Sequence, residues 1–288
     1  MAAVKVIFLL SYVNVIMELR FRTPFTMICA GATQSGKTTH VRKMLKSMPH
    51  LFTNVPDYVI YFYNLWQPIF STMCNETFQP MCHEHAEAPP SSFDTAPLPQ
   101  QWGAGATAQC FHENMPQERP IVNEWINMLP TTELLKAKTT PYMEGNGTLI
   151  IIDDFVQQLD DDISELFTVL SHANNISVIL LTQNLFSKNK VYRTISLNSM
   201  YITLFKNPRD RSQITSFASQ ISPRNIRWVV DAFAECTKAP YSYMMYDSHQ
   251  ATREDIRLRS NFLPGDGAPR TWFRKDLSQR ELQSIYYS

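Results

Sequence analysis

Gly31-Ala32-Thr33-Gln34-Ser35-Gly36-Lys37-Thr38 has the residue types and spacing of a loop that wraps phosphate. The two outer glycines let the backbone turn its N–H groups toward an anion. Lys37 would reach the β- and γ-phosphates, and the Thr38 hydroxyl would coordinate Mg²⁺. Thr39 follows as the next residue against the phosphates. The chain has eight glycines in 288 residues and two of them stand here, so glycine abundance does not explain the match. The chemistry this pattern calls for is binding of a nucleoside triphosphate, ATP, with Mg²⁺.

A second constellation supplies carboxylates. Leu149-Ile-Ile-Ile152 runs directly into Asp153-Asp154. Behind a phosphate loop this is the pattern in which the first acid, Asp153, holds Mg²⁺ opposite Thr38. The adjacent Asp154 would then orient or deprotonate the attacking water. Taken alone, any apolar strand running into a polar loop gives the same string. Gln183 and Asn184 end the next apolar run and are candidates for sensing the γ-phosphate, Gln183 first; capping of a turn is the plainer role for either amide. Asp160-Asp161-Asp162 fits an exposed helix N-terminus, where carboxylates suit the helix dipole. No Asn/Thr-Lys-x-Asp string supports guanine specificity, and no LSGGQ-like stretch supports a transporter ATPase.

These groups need elements to carry them. Phe25 to Ala30, Tyr58 to Tyr63, Thr148 to Ile152, Ile176 to Leu181 and Ser199 to Phe205 are apolar runs of strand length and read as buried strands. Thr39 to Lys46 predicts the helix after the phosphate loop. Asp161 to Leu170, 210–219 and 223–236 have helical spacing, and Tyr241 to Tyr246 predicts a terminal hairpin with Ile256 to Phe262. Strands alternating with helices imply a parallel sheet covered on both faces. Ligands of such sheets bind outside the carboxyl ends of the strands, which places Lys37, Asp153 and Gln183 on one rim. The expected fold is α/β, a P-loop NTPase of the RecA-like type, mostly parallel, with helices on both faces and a C-terminal β-hairpin. Residues 17–288 would form one domain. Residues 64–147 read as a long polar insertion of low order, with Ile121 to Leu135 helical in places.

Net charge is zero, but its distribution is uneven. Arg20 to Lys46 holds six basic residues and no acid, and Phe186 to Arg227 holds eight basic residues against Asp210. Such a segment can present a positive face to a polyanion, with scattered solvated charge the plainer reading. Lys188, Lys190 and Arg193 are the first candidates for contacting its phosphates, without regard to sequence, with Arg224 and Arg227 as the alternative. The five cysteines suggest no disulfide framework and a reducing compartment. Cys74, Cys82, His83, His85, Cys110 and His112 lack the paired spacing of a zinc site. The apolar run Val6 to Met17 is too short to span a membrane; residues 1–16 read as an extension outside the core, with Met17 a sensible start.

Together, GATQSGKT, YVIYFYNLWQP, LIIIDDF, SHANNISVILLTQN and LFKNPRD resemble the packaging ATPases of the FtsK–HerA superfamily. The resemblance runs from about Met17 to the hairpin near Phe262, interrupted at about 74–120, and is nearest to the poxvirus-like branch found in Polinton/Maverick elements and adintovirus-like viruses. Bacterial members usually carry Asp-Glu where this chain has Asp153-Asp154. The resemblance implies a homo-oligomeric ring that hydrolyses ATP to drive double-stranded DNA into a preformed capsid. Capsid or portal-like vertex proteins would be its partners, an intracellular assembly site or the virion its location, and no membrane would be involved. Ring ATPases commonly complete each site with a neighbour's arginine. Arg209 is the first candidate because Pro208 fixes the turn that presents it; Arg193 and Arg211 are others, and an ion pair with Asp210 or a DNA contact is the plainer role. A helicase or recombination ATPase of a mobile element, or a nucleotide-dependent scaffold with little turnover, remains the alternative function.

Overall fold

All six residues of Thr148–Asp153 are buried, which requires cover on both faces of the strand they form. The computed structural model describes residues 20–78, 119–155, 158–187, 189–267 and 269–271. Residues 1–16, Met17, the middle of the 64–147 segment and Lys188 lie outside the described residues. The strands are β1 (Thr26–Ala30), β2 (Tyr58–Tyr63), β3 (Thr77–Phe78), β4 (Arg119–Pro120), β5 (Glu124–Ile126), β6 (Thr148–Asp153), β7 (Ile176–Thr182), β8 (Tyr201–Phe205), β9 (Tyr243–Asp247), β10 (Leu258–Ser260) and β11 (Arg270–Thr271).

Nine strands form one sheet in the order β5-β2-β6-β7-β1-β8-β9-β10-β11, and β3 pairs with β4 apart from it. Pairing is parallel from β5 through β8. It is antiparallel from β8 to β11, so the expected C-terminal hairpin is β9 with β10. β7 stands between the strand leading into the phosphate loop and the strand ending in the acid pair. This is the expected α/β architecture.

Successive residues of a strand point to opposite faces, and the core divides accordingly. Ile28, Ile60, Ile150, Ile152, Val178 and Leu180 pack on one face with Ile163, Leu166, Ile195, Phe217 and Val229 from the helices. Met27, Cys29, Tyr61, Leu149, Ile151 and Leu181 pack on the other with Val41, Met44, Leu45 and Phe70. The helix Lys37–Lys46 starts at Gly36, which is left-handed, and carries Lys43 and Lys46 in its last turn, where cations suit the dipole. Asp160 caps Asp161–Glu165 by accepting the N–H of Ile163, which gives the acidic run its place. That helix continues as a π-helical turn, Leu166–Leu170.

The ends of the segment read as an insertion are built into the domain. Ile121 to Leu135, expected to be helical in places, is helical from Thr132 and ahead of that supplies β5, which lies parallel to β2 with Glu124, Trp125 and Ile126 opposite Ile60, Tyr61 and Phe62. Ile121, Val122, Phe70 and Met73 are buried, so apolar contacts across the chain hold both ends of the segment in place. Among the described residues no helix is long and apolar enough to cross a membrane.

Candidate functional site

β1 delivers Gly31 to the carboxyl rim, where its N–H donates to the Thr182 carbonyl at 3.1 Å. The backbone then reverses through left-handed Gln34 (φ 64°) and Gly36 (φ 98°). Gly31 has no room for a side chain: a Cβ there would lie 2.6 Å from Phe205 Cβ and 2.7 Å from Ser35 Oγ. Lys37 Nζ donates to the carbonyls of Gly31 at 2.7 Å and Ala32 at 2.9 Å, so its ammonium sits inside the loop. Burial lowers the Lys37 pKa, opposed by the charges of Asp153, Cys29 and Asp154. Ser35 Oγ is buried with no hydrogen-bond partner. A glycine-walled cradle, an inward ammonium and an orphaned hydroxyl fit the phosphates of a nucleotide.

Register sets the second half of the site. Asp153 is level with Tyr63 and Leu181, and Ala30 is level with Thr182. Side chains far apart in sequence therefore meet: Thr33 through Thr39, Asp153, Asp154 and Gln183 all line one cleft of about 1260 Å³. Asp153 is 5% exposed, and Tyr61 donates its hydroxyl to Asp153 Oδ2 at 2.8 Å. Burial pushes the Asp153 carboxyl up to about 6; the Tyr61 and Thr38 hydroxyls and Lys37 oppose that rise, while Asp154 adds to it. A buried carboxylate of raised basicity facing a hydroxyl is a fitting donor set for a hard cation such as Mg²⁺.

Asp154 is exposed and left-handed, φ 66°. Asn64 Nδ2 donates to its carbonyl at 3.2 Å, and Gln183 Nε2 lies 3.4 Å from Asp154 Oδ1. Gln183 thus faces the acid pair. Asn184 turns away, its Oδ1 accepting from Gln213 Nε2 at 3.1 Å.

Two residues given no role from sequence stand at the centre. Gln67 places its amide between Thr38 Oγ1 and Asp153 Oδ2, each at 3.4 Å, and Tyr61 holds the same carboxylate. Both come from β2 and its exit, which only the pairing with β6 brings here. The Asn64-Leu-Trp-Gln67 string was the available signal.

The structure does not bring the other candidates to this cleft. Arg209 is exposed on the turn after β8 and has no ion pair among the described residues; Asp210 instead accepts from Ser212 and Gln213. Lys190 and Arg193 are exposed on the helix Lys190–Leu197, three residues apart and so on one face. Arg211 and Arg224 are exposed, and Arg227 reaches Asp231 at 3.7 Å.

The sequence matches no protein-family model and no curated protein. Two solved structures of the genome packaging NTPase B204 from Sulfolobus turreted icosahedral virus 2 are similar in fold. Its complex with sulfate is 13% identical, covers 81% of this chain and 95% of that chain, and gives a TM-score of 0.46. Its complex with ATP-γS is 14% identical, covers 80% and 95%, and gives 0.41. At those values the chemistry of the site rests on its own residues.

Proposed function

We propose that this chain is an ATPase that assembles as a ring and moves double-stranded DNA, packaging a viral or virus-like genome into a capsid. The observation that carries the hydrolytic part is the meeting of Lys37, Thr38, Asp153, Asp154 and Gln183 around one cleft. Gly31 to Thr39 would hold the phosphates, with Lys37 exchanging the carbonyls of Gly31 and Ala32 for phosphate oxygens. Thr38 and Asp153 would hold Mg²⁺, which supplies charge neutralisation at the phosphoryl oxygens. Asp154, exposed toward the cleft, is the base that orients and deprotonates water, and Gln183 beside it positions that water.

The DNA part rests on the motif resemblance and on the exposed cations beyond β7. Lys190, Arg193, Arg209, Arg211 and Arg224 all reach solvent, as phosphate contacts require. Arg209 does not line its own cleft, which is compatible with service to a neighbouring subunit. Capsid vertex proteins, the branch within the superfamily and a place at an intracellular assembly site or in the virion belong to the same proposal.

ATP hydrolysis measured with no DNA, duplex DNA and single-stranded DNA tests it. Duplex DNA should stimulate turnover, Lys37→Ala should abolish it, and charge reversal at Lys190 and Arg193 should weaken duplex binding while sparing ATP binding. Stimulation by single strands alone would favour a helicase, and binding without turnover a scaffold. Wild-type ATP affinity in Lys37→Ala would defeat the assignment of the loop.

A further inference from the structure

The phosphate loop and the acid pair occupy one side of the cleft. β1, which delivers the loop, lies between β7 and β8, whereas Asp153 and Gln183 end β6 and β7. A triphosphate whose terminal phosphate lies by those residues must leave the loop toward β8 and β9. The cleft extends that way, along the segment from Lys238 to Tyr243 that leads into β9.

Tyr241 stands at this exit. Its backbone is left-handed, φ 62°, an outlier for a bulky side chain and of the kind that gathers at ligand sites. The residue is 73% exposed, and no described aromatic ring packs on its own ring. It also adjoins the loop itself: a Cβ built on Gly36 would lie 3.2 Å from Tyr241 Cβ. A flat aromatic face is thus held beside the last glycine of the phosphate loop, on the side away from the acids.

We infer that Tyr241 is the platform on which the base of the bound nucleotide stacks. This inference rests on the nucleotide-binding reading proposed above and adds the group that holds the nucleoside. Stacking uses the π-face that every base has, so the ring and not the hydroxyl carries the interaction.

The test compares ATP with inorganic tripolyphosphate, each with Mg²⁺, by calorimetric titration. Tyr241→Asn removes the ring and keeps a residue that accepts the left-handed backbone; Tyr241→Phe keeps the ring. In Tyr241→Asn, ATP should bind about 10- to 100-fold more weakly with tripolyphosphate unchanged. Tyr241→Phe should bind both ligands like wild type. Unchanged ATP affinity in Tyr241→Asn overturns the inference. Equal weakening of both ligands also overturns it, because Tyr241 would then only shape the loop. Wild type that binds neither ligand would overturn the nucleotide reading and this inference together, whereas wild type that binds both leaves the comparison specific to Tyr241.

Discussion

His40 makes a stability prediction that needs no substrate. It lies on the helix after the phosphate loop, 3% exposed, with both ring nitrogens lacking a hydrogen-bond partner. Tyr243, Phe205 and Phe262 meet its ring edge-on, with centroids at 4.3, 5.4 and 5.7 Å. Burial pushes its pKa from 6.5 down to about 3; Lys43 acts in the same direction and Asp266 against it. The folded protein therefore keeps His40 neutral where the unfolded chain protonates it. Stability is unaffected by this group above pH 6.5, falls as pH drops through 6.5, and stops falling near pH 3. From pH 7 to pH 5 the loss is about 2 kcal/mol. His40→Phe keeps a ring in the aromatic cage and sacrifices no hydrogen bond. Urea unfolding followed by circular dichroism at both pH values should show wild type losing about 2 kcal/mol more than the variant. Asp153 works in the opposite direction, since its raised pKa favours the folded state as pH falls through about 6. It is common to both proteins and cancels in the difference. Equal losses in the two would refute a neutral, buried His40.

Asp154→Asn preserves shape while removing the proposed base, so ATP binding should persist and turnover should fall about 10²- to 10⁴-fold; normal turnover in a steady-state phosphate-release assay would show that another residue activates the water, with Gln183 the next to test. Arg209→Ala should bind ATP yet hydrolyse it about 10³- to 10⁵-fold more slowly. Mixed with excess Lys37→Ala subunits, which retain Arg209, its activity should rise, and no recovery in verified mixed oligomers would exclude action across the interface. Arg259 pairs with Asp247 at 2.9 Å with side chains 2% and 4% exposed, so Arg259→Met should cost about 3–5 kcal/mol in chemical unfolding by leaving the carboxylate buried and unpaired. A loss below 1 kcal/mol would show that the Thr252 hydroxyl and His249 N–H, which also bond Asp247, hold it without the cation.

The strands that carry the site were legible because burial on both faces writes them as unbroken apolar runs. Tyr58–Tyr63 begins and ends where its aromatic and β-branched residues do, and Ile176 to Leu181 gains only Thr182. β5 was not legible. It is three residues long, and its place comes from pairing with β2, a contact across the chain that local periodicity does not record. Gln67 was hidden for a related reason. Its amide reaches Asp153, 86 positions away, only because β2 and β6 are neighbours. The apolar run starting at Tyr241 predicts a strand from that residue; the strand begins at Tyr243, and the left-handed turn before it is what presents the ring.

The left-handed backbone at Asp154 bears on which acids the position will accept. Among side chains other than glycine, asparagine and aspartate enter that region at least cost, because a short polar group can bond to its own surroundings. Glutamate, longer and without that advantage, would meet the same φ of 66° at a higher conformational cost. The turn that leaves β6 thus acts as a ruler for side-chain length. The aspartate present is thus matched to its own main chain, and the Gln183 amide extends to its carboxylate at 3.4 Å.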